Sequence, residues 1–123
     1  MIIKTSLVPS GFDAVTVFPF IFIRPEKATN TALIAHELVH YQEQKSAWVI
    51  PWLLRYALSR KFRFCAEIRG YRAQIASGGI TVDEAIRMLG QYGFELSDDQ
   101  YREQLAHVER QSSTPCVFAE RRT

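Results

Sequence analysis

His36-Glu37-Leu38-Val39-His40 places two imidazoles and a carboxylate within a single turn of chain. On an α-helix, residues four apart sit one above the other, with Cβ atoms roughly 5–6 Å apart. Two imidazoles so placed can reach one metal ion at about 2.0–2.1 Å. Glu37 lies between them on the adjoining flank, suited to hold a water rather than to ligate. The H-E-x-x-H pattern thus supplies two ligands and a general base, provided the segment is helical and a third ligand arrives from elsewhere.

Catalytic zinc usually takes three protein ligands and a water. Candidates for the third are His107, Asp13, Glu67 and Glu109. Glu67 ranks first, because it falls on the rim of an apolar helix face beside Gly70 and Tyr71 and can point at a buried neighbour. Glu67 follows His40 by 27 positions, room for one helix and a loop to bring a third helix back across the motif helix. Paired with Arg60 or Arg63, Glu67 would instead be an ordinary surface acid. A donor to stabilise an oxyanion is also expected. Tyr71, Tyr92, Tyr101, His107 and Arg72 are available, and Tyr71 comes first because it is one turn from Glu67.

The elements that must carry these groups can be read from periodicity. Ile2–Val8 and residues 14–23 read as strands, with Pro9-Ser10-Gly11 as the turn between them. Pro19 cannot donate to a ladder, so the run 14–23 is expected to be an edge strand or to bulge there. Thr29, Asn30 and Thr31 are N-cap candidates for a helix over 32–44. That helix is apolar around most of its circumference and is therefore expected to be buried. Further helices are expected over 48–58, 62–77, 81–92 and 97–111. The third has an apolar face of Phe64, Ile68, Tyr71 and Ile75, and is stopped by Gly78-Gly79. Thr81-Val82-Asp83-Glu84 and Ser97-Asp98-Asp99-Gln100 read as capping boxes opening the last two. Residues 112–123 read as a loose tail, leaving one α+β domain over 1–111.

At 123 residues and 47% hydrophobic content, the chain has material for one ordinary core. A formal charge of +2 advertises no nucleic-acid partner. Two cysteines, Cys65 and Cys116, make neither a disulfide framework nor a zinc-ribbon spacing, and reduced thiols are expected. The N-terminus lacks the pattern of a secretory signal and no run is long enough to span a membrane, so a cytoplasmic location is expected. Trp48, Val49, Ile50, Trp52, Leu53 and Leu54, followed by Arg55, Arg60, Lys61 and Arg63, have the composition of an interfacial helix. The favoured expectation is that they cover the core above the motif helix, with membrane contact the lesser reading.

His-Glu-Leu-Val-His followed by a distant helical glutamate in Ala66-Glu67-Ile68-Arg69-Gly70-Tyr71 resembles the gluzincin branch of zinc metallopeptidases. The length is similar to their minimal, minigluzincin-like members, and the resemblance covers about residues 14–77. It implies a small zincin-like domain, with a short N-terminal sheet on a buried motif helix and four further helices. It also implies Zn²⁺ held by His36, His40 and Glu67, with Glu37 as catalytic base. Larger gluzincins often carry an acid one turn after the ligand glutamate; here that position is Tyr71. The metzincin extension after the second histidine is absent. Such enzymes commonly hold a peptide along a sheet edge, so a peptide or protein substrate along strand 15–23 is the expected partner. The rival expectation is a catalytically inactive peptide-binding or regulatory module whose zinc is structural.

Overall fold

The structure, a computed structural model, describes residues 1–106. His107, Glu109, Cys116, the last turn expected for the final helix and the tail 112–123 lie outside the described residues. Three short strands precede five helices: β1 (Ile2–Lys4), β2 (Ala14–Val17), β3 (Phe20–Ile23), α1 (Thr31–Ala47), α2 (Val49–Leu58), α3 (Arg60–Ala76), α4 (Val82–Gly90) and α5 (Asp98–Leu105). The α+β class agrees with the sequence.

The run 14–23 is a hairpin, which corrects the expectation of one strand. Pro19, joined to Phe18 by a cis peptide bond, sits at the turn between β2 and β3. A residue without an N–H is tolerated there, where no ladder bond is required. β3 is central, parallel to β1 and antiparallel to β2, so the two outer strands form the rims. Ala14 pairs with Ile23 and Thr16 with Ile21, which puts these four side chains on one buried face. That face packs on α1. β1 ends at Lys4, short of the expected Val8.

Four of the five helices begin where a side chain satisfies an exposed amide, while α2 starts at Trp48 without one. Asn30 caps α1 by accepting from Leu33 N at 3.0 Å, and Ser59 caps α3 by accepting from Phe62 N at 3.1 Å. Thr81 accepts from Glu84 N at 3.1 Å at the start of α4. Ser97 and Gln100 make both halves of a capping box on α5. At the other end of α3, Gly79 lies so close to α1 that a Cβ on it would stand 1.9 Å from the Ala32 Cβ. Only a glycine lets the two helices approach there.

Phe64, Ile68, Ala85, Leu89, Phe94 and Leu105 form the centre of an apolar cluster among α3, α4 and α5. Cys65, at its margin, is disulfide-bonded, which corrects the expectation of a reduced thiol. Two further expectations hold only in part on burial. The buried residues of α1 are Ala32, His36, Glu37, His40 and Gln44, while Leu38 is 44% exposed. The helix therefore hides its polar stripe and leaves apolar side chains at the margin. On α2 only Trp52 is buried; Ile50, Leu54 and Leu58 are exposed, so this segment covers the core with one face only. No helix among the described residues is long and apolar enough to cross a membrane.

Candidate metal centre

The polar stripe of α1 meets α3 at Glu67. His36 Nε2 lies 3.2 Å from Glu67 Oε2, and His40 Nε2 lies 3.3 Å from Glu67 Oε1. All three residues are buried, and one ligand atom from each falls within 4.8 Å of the others. Ligands 2.0–2.1 Å from a tetrahedral ion stand about 3.3 Å apart, so the spacing suits a small cation. Close approach of the helices is secured at Gly70, where a Cβ would stand 2.6–2.8 Å from three atoms of the His36 ring.

The second nitrogen of each ring is already engaged. His36 Nδ1 is 3.0 Å from Gln74 Oε1, and His40 Nδ1 is 3.4 Å from Glu43 Oε1. Both acceptors favour a proton on Nδ1, leaving the Nε2 lone pairs directed at Glu67. Glu43 is held in turn by the Arg69 guanidinium, whose Nε donates at 3.1 Å. His40 Nε2 is buried within ion-pair distance of Glu67 Oε1 but without the geometry of a hydrogen bond; among the described residues Trp52 Nε1 is likewise buried without one. Buried polar atoms normally make full hydrogen bonds, and a cation placed between the two ring nitrogens and the carboxylate would engage all three. The donor set, two imidazoles and one carboxylate, also fits a borderline divalent metal.

Electrostatics agree with that fit. Burial works against the Glu67 carboxylate, yet His36 and His40 hold its pKa well below the ordinary glutamate range. Burial also works against a charged His40, but the contacts with Glu43 and Glu67, together with the charges of Glu67 and Glu37, push its pKa up to about 10. Glu43 is lowered despite burial by His40 and Arg69. Without a metal the cluster thus recruits a proton as its cation.

Glu37 is buried beside this triad and contributes no atom to it. Thr16 Oγ1 of β2 donates to Glu37 Oε2 at 2.6 Å, tying the carboxylate to the sheet. Its charge still raises His40, Tyr56 and Tyr71. Tyr71 packs the edge of its ring on His36, with centroids 4.5 Å apart. The hydroxyls that reach the ligand carboxylate belong to Tyr56, donating to Glu67 Oε1 at 2.9 Å, and Tyr92, donating to Oε2 at 3.1 Å. Burial first, and then the Glu67 charge, raises both phenols, so they remain protonated donors. Trp52 completes the wall, its ring 5.5 Å from His40 and stacked on Tyr56.

Of the other sequence candidates, Asp13 stays outside the cluster. Arg72 donates to Gln104 O at 2.7 and 2.9 Å, and Tyr101 lies in the helical core. Sequence reasoning missed Gln74, Glu43 and Tyr56. Two of these carried a spacing signal: Gln74 lies seven residues past Glu67 on the same face, and Glu43 lies three past His40. Tyr56 carried none, since only the crossing of α2 over α3 brings it to Glu67.

The β2 rim is partly taken. The Gln44 side chain donates to Thr16 O at 2.9 Å and accepts from Phe18 N at 2.7 Å, standing where a neighbouring strand would pair. β3, flanked on both sides, has no free rim. No family model, no curated protein and no solved structure matches this chain, so the centre is characterised by its geometry.

Proposed function

We propose that the chain is a zinc-dependent peptidase with a gluzincin-like site. The observation that carries this reading is the buried convergence of ligand atoms from His36, His40 and Glu67, with a glutamate interposed on the same turn as the histidines. His36, His40 and Glu67 would hold Zn²⁺. When bound there, Zn²⁺ supplies a water acidified toward neutrality and polarisation of the substrate carbonyl. Glu37 accepts a proton from the attacking water and returns it to the departing amine, as amide hydrolysis requires. Gln74 and Glu43 hold the imidazoles in the ligating tautomer, and Tyr56 and Tyr92 restrain the ligand carboxylate. A peptide substrate would lie along the free part of the β2 rim, beside Ala14 and Val15, since Gln44 covers the stretch from Thr16 to Phe18.

Two observations favour a second reading, an inactive zincin-like module with structural zinc. Glu37 is bonded to Thr16, and aromatic rings crowd the triad, whereas catalytic sites keep a coordination position open. Metal analysis of the purified protein, together with Glu37→Gln, separates the two. A peptidase shows near-stoichiometric zinc in both proteins and cleavage of a peptide library only in the parent. A structural module shows the same zinc and no cleavage in either. Absence of bound metal after growth with ample zinc would end both readings.

A further inference from the structure

The outer face of α2 is the largest feature that the metal centre does not use. Ile50, Leu54 and Leu58 are 70%, 55% and 83% exposed. At about 100° per residue they fall within roughly 80° of arc, a continuous apolar stripe. Pro51 and Arg55 border it, and both are exposed. Trp48 stands at the junction with α1, 80% exposed and held at φ 71, a backbone region that side chains rarely adopt. A bulky indole kept in water by an unfavourable backbone is a feature to be explained by use.

Charge says what the stripe faces. Between Glu43 and Glu67 the chain carries Lys45, Arg55, Arg60, Lys61 and Arg63 and no acid. Lys45, Arg55 and Lys61 are exposed. An apolar ridge with an aromatic residue at its end and only cations along its flanks is the pattern of a helix lying in a lipid interface. A second copy of this chain fits poorly, because a two-fold dimer through the stripe would bring the same cations face to face.

We propose that α2 docks this protein on an anionic membrane surface, with Ile50, Leu54, Leu58 and Trp48 entering the headgroup boundary and Arg55, Lys61 and Lys45 pairing with lipid phosphates. The inner face of the same helix touches the metal centre through Trp52 and Tyr56. Docking therefore holds that centre about one helix diameter, roughly 10–12 Å, from the lipid. The inference stands on the surface of α2 and is independent of whether the centre cleaves peptides.

The test is co-sedimentation of the full chain with vesicles of equal parts phosphatidylcholine and phosphatidylglycerol, against vesicles of phosphatidylcholine alone. The parent should partition onto the anionic vesicles, and raised salt should weaken this. I50S/L54S/L58S and R55E/K61E should each lose roughly tenfold or more of the partitioning. Brominated lipid should quench the parent's tryptophan emission, and W48F should lose that quenching, since Trp52 is buried. This second measurement decides the matter even if the triple variant proves unstable. Equal binding to both vesicle types, no quenching, or unchanged partitioning of a folded triple variant overturns the proposal. So does a stable dimer that the triple variant abolishes and that ignores vesicles.

Discussion

Toward α4 and α5, helix α3 presents Phe64, Ile68 and one side of Tyr71 to a cluster of Ala85, Leu89, Phe94 and Leu105. Toward α1 and α2, the same helix presents Glu67, Gly70 and Gln74 to His36, His40 and Tyr56. Both faces are buried, yet they work by different physics. The apolar face gains free energy from area removed from water and tolerates imprecision. The polar face gains little from burial, because each desolvated group needs a partner of the right kind in the right place. Its imidazoles meet Glu67 on one side and Gln74 and Glu43 on the other. A fold seeking stability alone would have used leucines here. The expense of a buried polar seam is therefore evidence that the seam has a task.

The contrast is broken most strongly by Phe64→Ala, on the apolar face. It should destabilise the fold by about 3–5 kcal/mol in urea titration while leaving metal stoichiometry unchanged in the protein that remains folded. Glu67→Ala, on the opposite face, should reverse the pattern. Its metal affinity should fall by more than about a hundredfold, beyond the 10–100-fold typical of outer partners, in competition with a chromogenic chelator. If Glu67→Ala instead retained metal, the triad would not be the site.

pH sharpens the comparison, because the imidazoles and the ligand carboxylate lie on the polar seam. Metal binding needs a neutral His40, whose pKa is pushed up to about 10. Affinity should therefore rise by up to about tenfold per pH unit between pH 6 and 9. The metal-free protein should behave oppositely. A raised histidine contributes stability that is fully present below its ordinary value of 6.5 and lost as pH climbs through about 10. Chemical unfolding of the chelated protein at several pH values reads this directly. Gln74→Leu, which removes only the acceptor of His36 Nδ1, should give the smallest change, a roughly 10–100-fold loss of metal affinity without loss of the fold.

Much of this was legible in the chain. The caps at Asn30, Thr81 and Ser97 are local chemistry, so sequence located the helices they open. The two histidines and Glu37 share one turn, so their grouping depends only on α1 being a helix. Periodicity identified the apolar face of α3 with Glu67 on its rim. It misled on α1, where apolar residues all round suggested general burial. Packing instead selected the stripe of Ala32, His36, Glu37, His40 and Gln44. It also misled on 14–23, because a β-rich run reads alike whether it is one strand or a hairpin folded at Pro19.

What the sequence determined by itself is what local backbone geometry enforces: helix starts, the spacing of His36 and His40, and the placing of Glu67 on a helix face. Only tertiary structure decided which of several acids reaches the imidazoles, that Tyr56 and Tyr92 grip it, and that the outer side of α2 stays in water. Those outcomes depend on how helices cross, on Gly70 and Gly79 permitting close approach, and on which faces find a partner. Such distances between remote stretches of chain arise when all elements pack at once, and no window of neighbouring residues encodes them.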